Sequence, residues 1–303
     1  MCGTCGCSDP TNAVTLTDPT SGERAELRPH GSHSYVHAHD HGHSHDHGHD
    51  HHDHHDHHDH DHAHGHNHAH GPAGEVISLE QAVLARNNAN AQRNRGWFEG
   101  RGVLALNIVS SPGAGKTTLL ERTIQELTGQ VEISVIEGDQ MTDNDAKRIR
   151  AAGAQAIQIN TGAGCHLEAD MVAEAVKKLD PQPGSVLLIE NVGNLVCPAM
   201  FDLGERLKVA VVSTPEGEDK PVKYPHMFRA AAVVVINKID LTPHVDFDAA
   251  RCVENIRKVN PEADVFMLSA RTGEGLTPWL AFLARARAEV AGEPPTDGAR
   301  APF

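Results

Sequence analysis

The feature of this sequence that most limits its fold is a regular alternation of apolar runs and helix-like segments from Val103 onward. Runs rich in Val, Ile and Leu predict strands at residues 103–110, 131–137, 155–160, 185–190, 208–213, 232–236 and 264–268. The segments between and after them predict helices at residues 116–128, 143–152, 167–179, 247–259 and 277–290. Strands that are apolar on both faces and joined by helices are typical of a parallel sheet covered on both sides. We therefore predict one doubly wound α/β domain with a mostly parallel sheet over residues 103–303.

The residues before this domain differ in composition and predict three further segments. Residues 1–29 are polar and turn-rich without sustained periodicity, so no strand or helix is predicted there. Residues 30–74 contain 21 of the 24 histidines and end in a Gly-Pro-Ala-Gly linker. Such an arm buries too little apolar surface to offset its ordering entropy, which predicts disorder in the absence of metal. Residues 75–102 lead into the α/β domain through a helix predicted from Ser78 to about Arg95.

Charge and hydropathy exclude several functional classes. The formal net charge is −15, and no Lys/Arg-rich stripe is available to meet a phosphate backbone, which argues against nucleic acid binding. No run of 18 or more apolar residues predicts a membrane span, and the N-terminus does not resemble a secretory signal. We expect a cytoplasmic protein. In that compartment, six cysteines indicate metal ligation or redox chemistry rather than disulfides.

A glycine-rich loop follows the first predicted strand. Residues 110–118 read Ser-Ser-Pro-Gly-Ala-Gly-Lys-Thr-Thr and match the phosphate-binding pattern G-x-x-x-x-G-K-[ST], with Ser110 in place of the first glycine. The glycines let backbone N–H groups turn toward phosphate oxygens, and the next helix adds the dipole of its N-terminus. The Lys116 ammonium can reach the β- and γ-phosphates, and the Thr117 hydroxyl can bind Mg²⁺. The predicted phosphate-binding residues are Gly113, Ala114, Gly115, Lys116, Thr117 and Thr118.

The base specificity is predicted from a motif about 120 residues downstream. Asn237-Lys238-Ile239-Asp240 directly follows an apolar strand and matches the N-K-x-D pattern of GTPases. Asp240 can accept hydrogen bonds from N1–H and N2–H of guanine, a donor pair that adenine lacks, and Lys238 can lie along the base. Leaving a buried carboxylate unpaired is costly, so such a site rejects ATP. Ser269-Ala270-Arg271 resembles the loop that supports guanine O6 through a backbone amide. We predict GTP as the nucleotide.

Carboxylates at strand ends beside the phosphate loop are candidates for Mg²⁺ binding. Asp139 and Glu190 both end strands, the position where such sheets bind ligands. Glu190 can hold a Mg²⁺-bound water, and Gly193 can sense the γ-phosphate. Asp145 follows at the start of a helix. Asp143 is explained at least as well as a helix N-cap as by a role at the metal.

Three groups of nitrogen and sulfur donors indicate metal binding. Cys2, Cys5 and Cys7 are separated by small residues that let the chain wrap around an ion, and thiolates suit Ni²⁺ or Zn²⁺. The histidines from His30 to His70 suggest storage of several ions, with uptake that weakens below a pH of about 6.5 because neutral imidazole is the ligand.

The third group lies inside the α/β domain. Cys165 and His166 can converge on one ion at a loop-to-helix junction, together with Cys197. Cys197 follows Glu190 by seven residues, in the segment expected to move with the γ-phosphate. This spacing suggests that the nucleotide state remodels the metal site, which has three ligands and an open position. Two buried cysteines with a satisfied histidine are the structural alternative. Cys252 is predicted to be a core residue.

These motifs together resemble the HypB family, the nickel-incorporation GTPases of [NiFe]-hydrogenase maturation. The resemblance rests on Cys-Gly-Thr-Cys-Gly-Cys at residue 2, the His-rich arm, the phosphate loop, Thr161-Gly-Ala-Gly-Cys-His-Leu, Glu190-Asn-Val-Gly-Asn-Leu-Val-Cys-Pro and Asn237-Lys-Ile-Asp. It implies a P-loop GTPase domain of the SIMIBI type, a tight nickel site at Cys2, Cys5 and Cys7, and a nickel or zinc site at Cys165, His166 and Cys197. It also implies that Asp139 and Asp145 are switch carboxylates near Mg²⁺, with Thr117 and Asp139 as ligands. The catalytic set is then Lys116, Thr117, Asp139, Asp145 and Glu190.

The same resemblance implies partners and a reaction. The expected protein dimerises through its GTPase domain and hands nickel to the hydrogenase large-subunit precursor. A HypA-type accessory protein, and a nickel-binding peptidyl-prolyl isomerase in some systems, assist it. Two alternatives stay open: a protein used mainly for nickel storage, and a related GTPase that serves urease. The N-terminal cysteines and the Cys165-His166 pair argue against the urease-type GTPase.

Overall fold

The computed structural model describes residues 14–18, 21–27, 79–139 and 144–293, and the structural statements below concern these residues. Several predicted features lie outside them. They are the cysteines Cys2, Cys5 and Cys7, the histidine arm, the start of the first helix at Ser78, and Asp143. Within the described part of the chain, no helix is long and apolar enough to cross a membrane.

One mixed sheet forms the centre of the described structure. Its strands are β1 (Thr15–Thr17), β2 (Arg24–Glu26), β3 (Leu104–Ser110), β4 (Ile133–Asp139), β5 (Gln155–Asn160), β6 (Val186–Glu190), β7 (Leu207–Ser213), β8 (Val233–Asn237) and β9 (Asp264–Met267). Their order is β2-β1-β5-β4-β6-β3-β7-β8-β9. The seven strands from β5 to β9 in that order run parallel, and β1 and β2 pair antiparallel at one edge. The predicted doubly wound, mostly parallel sheet is confirmed.

Helices cover both faces of this sheet, as expected for strands without a polar side. They are α1 (Leu79–Arg101), α2 (Lys116–Leu127), α3 (Asn144–Ala151), α4 (Ala169–Leu179), α5 (Cys197–Met200), α6 (Lys220–Lys223), α7 (Pro225–Ala230), α8 (Ala249–Val259) and α9 (Leu276–Ala291). One face packs against α2, α3 and α9. The other face packs against α1 and α4 near β5, and against α7 and α8 near β8. Cys252 of α8 is fully buried in this second layer, which confirms it as core.

The seven predicted strands and five predicted helices of the α/β domain are observed, with ends that differ by no more than two residues. Helix α1 is longer than predicted, since it continues past Arg95 to Arg101. Its last turns carry Phe98, which is 3% exposed and packs into the layer under α1 and α4. Tertiary burial of this aromatic ring outweighs the low helix propensity of the two nearby glycines, Gly96 and Gly100.

A hairpin near the N-terminus is the largest departure from the prediction. Residues 1–29 were expected to have no regular structure, but β1 and β2 extend the sheet beyond β5. Each strand has three residues, too few for period-two alternation to be recognised in the sequence. Leu16 is completely buried against Ile157 and Ile159, so a single apolar side chain anchors β1. These residues are part of the central sheet of the α/β domain rather than of a separate segment.

Candidate nucleotide and metal sites

The phosphate loop lies at the carboxyl end of β3, which is flanked in the sheet by the parallel strands β6 and β7. It leads into α2 through Gly115, which adopts φ 94°. A Cβ at Gly115 would lie 2.6 Å from Nδ2 of Asn237, so both the backbone conformation and the close approach require glycine. The Lys116 ammonium is buried and donates to Oγ of Ser110 at 3.0 Å. Ser110, at the position of the first glycine in the pattern, therefore holds Lys116 at the cavity beside the loop.

A cavity of about 530 Å³ opens beside this loop. It is lined by residues 112–113 and 115–118, by 137–139, by 190–193, and by Asp145, Arg148 and Lys238. The predicted phosphate-binding and carboxylate residues thus converge on one site. The exceptions within the predicted phosphate and switch set are Ala114, which is fully buried behind the loop, and Asp143, which lies outside the described residues.

Three carboxylates approach one another at the floor of this cavity. Glu137, Asp145 and Glu190 each have an oxygen within 4.8 Å of the others. Burial raises the pKa of Glu137 to about 9, with further increases from the negative charges of Glu190 and Asp139. Burial also raises the pKa of Glu190 to about 7, although the Lys116 ammonium and a hydrogen bond from Thr117 oppose the increase. Buried carboxylates that lie close to other negative charges resist ionisation in this way.

The structure adds one carboxylate, Glu137, to those predicted for this cavity. Thr117 Oγ1 donates to Glu190 Oε1 at 2.8 Å, so the hydroxyl that was predicted to bind Mg²⁺ lies next to Glu190. The third member of the group is Glu137, whereas Asp139, the predicted ligand, lines the same cavity outside the group. The two residues point to the same side of β4 because they are two apart. Sequence alone could not rank them, since the difference lies in how deep each position is below the strand end.

Arg148 is a further residue of this site that the sequence analysis missed. It lines the cavity from α3 and binds Glu121 of α2 through Nε at 3.0 Å and Nη2 at 2.6 Å. Nη1 donates to Asp145 at 3.0 Å, and Nη2 also donates to Thr118 at 3.2 Å. The guanidinium thus ties the start of α3, with its carboxylate Asp145, to the helix that follows the phosphate loop.

The guanine end of the site is built around Asn237. Its Nδ2 donates to Ala114 O at 3.0 Å, and its Oδ1 accepts from the Ala270 amide at 3.0 Å. Lys238 donates to Gly113 O at 2.6 Å. The first two residues of N-K-x-D therefore connect the phosphate loop to the loop after β9, and Ala270, predicted to contact guanine O6, donates to Asn237. Ser269, also predicted for this site, is buried and accepts from the Thr272 amide.

Asp240 differs from these neighbours because part of its carboxylate is unpaired. Its Oδ1 is buried and has no hydrogen-bond partner in the described structure. A buried acceptor without a donor costs about 1–3 kcal/mol, which a ligand with the right donors recovers. The two N–H donors of guanine meet that requirement.

The predicted sulfur and nitrogen ligands form a second site. Cys165, His166 and Cys197 place their ligand atoms within 4.8 Å of one another, and neither cysteine forms a disulfide in the described residues. The two sulfurs are 2.9 Å apart, and Nδ1 of His166 is 3.5 Å from the Cys165 sulfur. To share a tetrahedral ion at metal–sulfur distances of about 2.3 Å, the sulfurs need to separate by less than about 1 Å. The site is nearly formed.

The histidine is suited to metal binding by its surroundings. Its side chain is only 11% exposed, and its ring packs on Phe201 with 3.8 Å between centroids. Burial lowers the pKa of His166 to about 4, so the imidazole is neutral and can bind a metal at physiological pH. Nε2 is buried without a hydrogen bond in the part of the chain described, and its nearest carboxylate, Glu168, is 3.9 Å away.

Two contacts connect this candidate metal-binding group to the phosphate cavity. Asn191, directly after Glu190, accepts from the Leu167 amide through Oδ1 at 3.1 Å. Leu167 in turn lies against Gly138, where an added Cβ would be 2.9 Å from the leucine side chain. The loop with Cys165 and His166 therefore touches the ends of both β4 and β6. Sequence analysis missed Asn191, whose role depends on a contact 24 residues away.

The short helix that begins with Cys197 is held in place by a buried lysine. Cys197 begins α5, a single turn whose carbonyl groups lack partners further along a helix. Lys208 on β7 donates to the carbonyl oxygens of Pro198 at 2.7 Å and Phe201 at 3.2 Å. The ammonium is 8% exposed and is balanced by Glu205 at 3.6 Å. The hydrogen bonds from Lys208 thus hold the α5 turn to strand β7. The N-terminal end of the turn, with Cys197, follows directly on residues 190–196, which begin at the phosphate cavity.

Comparison with known proteins identifies the family of this chain. A model of the CobW/HypB/UreG nucleotide-binding domain matches residues 104–267. The hydrogenase maturation factors HypB of Rhizobium leguminosarum bv. viciae and Escherichia coli K12 are 59% and 55% identical over 208 residues. These alignments cover 69% of this chain and 70% and 72% of the two relatives.

Solved structures agree in fold and in sequence. The crystal structure of the hydrogenase maturation factor HypB from Archaeoglobus fulgidus is 40% identical, with a TM-score of 0.62, and covers 66% of this chain and 98% of that one. The structure of HypB from Helicobacter pylori in complex with nickel is 38% identical, with a TM-score of 0.63, and covers 67% and 96%. With its nucleotide domain matched and its relatives similar over most of their length, the chain belongs to the HypB family of hydrogenase maturation factors.

Proposed function

We propose that this protein is a Mg²⁺-dependent GTPase that couples GTP hydrolysis to insertion of nickel into the [NiFe]-hydrogenase large-subunit precursor. One observation carries the proposal: a single segment, residues 190–197, contributes to both sites. Its first residue, Glu190, binds Thr117 in the phosphate cavity, and its last, Cys197, is a member of the metal group. A change in the phosphate cavity therefore acts directly on a metal ligand.

The residues of the cavity support GTP hydrolysis. Lys116 and the loop amides would bind the phosphates, and the unpaired oxygen of Asp240 would select guanine. Oε2 of both Glu137 and Glu190 is buried without a hydrogen bond in the described residues, and Asp145 lies beside them. This set fits a divalent cation, held by Thr117 with Glu190 and Glu137 in addition to the predicted Asp139. Bound there, Mg²⁺ would neutralise charge on the β- and γ-phosphate oxygens during transfer.

The residues of the second site support nickel as the cargo. Two thiolates and a neutral imidazole suit nickel or zinc, and the HypB of Helicobacter pylori was crystallised with nickel. We assign Cys165, His166 and Cys197 to the site from which metal is released. We assign Cys2, Cys5 and Cys7 to a tight nickel site, and the arm from His30 to His70 to nickel buffering, since its imidazoles release ions in turn as pH or supply falls.

Coupling between the sites would start at Gly193. A Cβ there would lie 3.1 Å from Pro112 of the phosphate loop, so this backbone already touches the nucleotide site. A γ-phosphate binds or leaves next to it, and the shift reaches Cys197 four residues later and Leu167 through Asn191. The three ligands cannot keep their spacing if one of them moves.

Exposed apolar side chains beside the metal group support assembly with other proteins. Val196 and Met200 flank Cys197 and are 56% and 57% exposed, the highest values among large apolar residues of the described structure. A homodimer through this GTPase domain would cover them. We further propose transfer to the large-subunit precursor with a HypA-type accessory protein, aided in some cells by a nickel-binding peptidyl-prolyl isomerase.

The test is the Ni²⁺ affinity of the site in two nucleotide states. The chain should lack residues 30–70 and carry Ser at Cys2, Cys5 and Cys7, so that the hairpin stays in place and only one thiolate site remains. We expect the affinities with GDP and with a non-hydrolysable GTP analogue to differ tenfold or more, about 1.4 kcal/mol of coupling. The Cys197→Ala variant should lose the difference. Equal affinities in both states would refute the coupling.

The alternative of a storage protein predicts a different outcome. Deleting residues 30–70 would then remove most bound nickel and growth in scarce nickel. Delivery predicts instead that hydrogenase activity survives the deletion when nickel is plentiful. A urease-type role predicts that the variant with Ser at Cys2, Cys5 and Cys7 retains full maturation activity.

A further inference from the structure

Helix α1 buries polar side chains on the face that packs against the rest of the domain. Asn87, Ala91 and Asn94 are spaced by four and three residues, so they lie on one side of the helix, and all three are buried. A helix packed on a sheet is expected to bury an apolar stripe, because a polar group loses its water on burial. Two buried asparagines therefore need partners, and the partners indicate what this face does.

The side chain of Asn87 joins two different segments of the chain. Its Oδ1 accepts from the Ala169 amide at 2.9 Å, and its Nδ2 donates to Asp202 O at 2.7 Å. Ala169 is the first residue of α4, and its amide is one of those that a helix cannot satisfy by itself. The N-cap residue, Glu168, makes no capping hydrogen bond in the described residues. The cap of α4 is therefore supplied by another helix.

Asn94 joins the same two segments seven residues later. Its Nδ2 donates to Ala169 O at 2.7 Å and to Leu203 O at 2.9 Å, which uses both amide hydrogens. Arg95 adds an ion pair, since its Nη2 donates to both carboxylate oxygens of Asp202 at 2.8 Å. One face of α1 thus binds the start of α4 and residues 202–203 together.

The backbone at Gly204 comes very close to the same face. A Cβ at Gly204 would lie 2.5 Å from Ala91 O and 2.6 Å from Cβ of Asn94, and its φ is 89°. Both the contact and the backbone conformation require glycine. No side chain can stand between the helix and this loop, so residues 202–204 are held at a fixed distance from α1.

Each of the two segments begins at ligands of the candidate metal group. Ala169 follows His166 by three residues, and Asp202 follows Cys197 by five. Phe201, the residue before Asp202, packs its ring on that of His166 with 3.8 Å between centroids. The hydrogen bonds of α1 therefore tie residues 165–169 to residues 197–203 just beyond the ligands that each of them carries.

We propose that Asn87 and Asn94 are positioning residues of the metal site, which set the separation between the two segments that supply its ligands. This inference rests on the proposed function and adds what fixes the geometry of the second site. The two ligand sulfurs lie 2.9 Å apart although they are 32 residues apart in the chain. A metal site needs its ligand distances to within about 0.2 Å, and two loops without a common support would not keep such a spacing. The asparagines supply this support through the backbone of residues 169, 202 and 203.

The same hydrogen bonds determine what a movement near the nucleotide does to the ligands. Both segments are joined to each other at α1, so a shift of residues 190–196 is not passed on as an equal displacement of all three ligands. The shift instead changes the distance between Cys197 and the Cys165–His166 pair. The helix is the fixed reference against which that change occurs.

The support is tested in the full-length protein with Ser at its three N-terminal cysteines. Asn94→Ala removes both hydrogen bonds of that side chain. We expect Ni²⁺ affinity, measured by nickel–thiolate absorption that is blind to the imidazoles of the arm, to fall about tenfold or more. Without metal, diamide should oxidise Cys165 and Cys197 to a disulfide more slowly than in the parent by a similar factor, because the rate follows the effective concentration of one thiol at the other.

Three comparisons separate positioning from a general loss of stability. Phe98→Leu loosens the same helix in the same buried cluster and removes no hydrogen bond, so it should lower the melting temperature and leave nickel affinity and disulfide rate unchanged. Asn88→Ala changes an exposed asparagine of α1 and should alter none of the three. Asn94→Ser has one hydroxyl hydrogen for two carbonyl groups, so its nickel affinity should lie between those of the parent and Asn94→Ala. Affinity for GDP should be the same in all four, since α1 does not line the phosphate cavity.

An unchanged nickel affinity and disulfide rate in Asn94→Ala would overturn the inference. Equal losses in Asn94→Ala and in Phe98→Leu would also overturn it, because the effect would then follow stability alone. If Asn94→Ala does not fold, Asn94→Ser decides by the same two measurements. A parent protein that binds no added Ni²⁺ through thiolates would instead overturn the proposed function, and this titration is made first.

Discussion

The contact between Gly138 and Leu167 allows a direct test of how strand β4 supports the loop that carries Cys165 and His166. Gly138 lies between Glu137 and Asp139 on β4, and its φ is not in the left-handed region, so the backbone accepts alanine. An alanine Cβ would lie 2.9 Å from both Cγ and Cδ1 of Leu167. Carbon atoms in contact prefer about 3.5–4.0 Å, so one side chain must move by about 0.6–1.1 Å.

Leu167 cannot move freely, because it is completely buried in the cluster under α1 and α4. Overpacking of this kind costs about 1–3 kcal/mol. We expect Gly138→Ala to lower the free energy of unfolding by that amount, and to weaken nickel binding by moving His166. Urea denaturation and a nickel titration with GDP bound measure the two effects. Gly96→Ala is the matched control: nothing lies within 4 Å of its Cβ, and it should stabilise α1 by about 0.5–1 kcal/mol.

A double-mutant cycle identifies the contact responsible. Leu167→Ala alone should cost about 2–5 kcal/mol through the cavity that it leaves. In the Gly138→Ala background the new methyl group partly fills that cavity, so the combined cost should be at least 1 kcal/mol below the sum. Additive costs, or a Gly138→Ala protein within 0.5 kcal/mol of the parent and with unchanged nickel affinity, would refute the reasoning.

Three further outcomes are expected. Asp240→Asn should weaken GTP binding about a hundredfold or more and ATP binding little, because the lost acceptor pair serves guanine alone; equal losses for both nucleotides in a fluorescence titration would contradict this. The raised pKa of Glu137 favours the metal-free folded state fully below pH 4.5 and progressively less as pH rises toward 9. Glu137→Gln should therefore flatten the fall of melting temperature between pH 6 and 9 in metal-free buffer. Parallel curves of melting temperature against pH for the two proteins would count against this expectation. Asn191→Ala should reduce the GTP-to-GDP difference in nickel affinity at least threefold while Cys165, His166 and Cys197 stay intact, as measured by thiolate absorption, and an unchanged difference would show that Leu167 is not coupled through this side chain.

The limits of sequence analysis here are physical. The strands from β3 to β8 are almost entirely buried and the helices α2, α3, α4 and α8 are amphipathic, so their pattern is local and their ends were predicted within two residues. The Gly113–Thr118 loop and the Asn237–Asp240 motif follow strands whose ends must converge in a parallel sheet, and their approach was predictable for the same reason. The Cys165–Cys197 contact was predictable from ligand chemistry.

The missed features depend on distances that no local pattern encodes. β1 is held by one leucine, Leu16, and pairs with a strand more than a hundred residues away. The choice between Glu137 and Asp139 depends on depth in the cavity, and Arg148 and Asn191 act through partners 24 to 30 residues distant.

The hydrogen bonds of Asn237 have a consequence for any redesign of this nucleotide site toward another base. The amide side chain of Asn237 joins the phosphate loop, at Ala114, to the loop after β9, at Ala270, so the two ends of the site depend on one residue. Redesign at Asn237 would alter base preference and catalytic competence together, and the two effects could not be optimised independently. Oδ1 of Asp240 makes no hydrogen bond to either loop in the described structure. Asp240 is therefore a position where base selectivity can be changed while the phosphate loop keeps its structure.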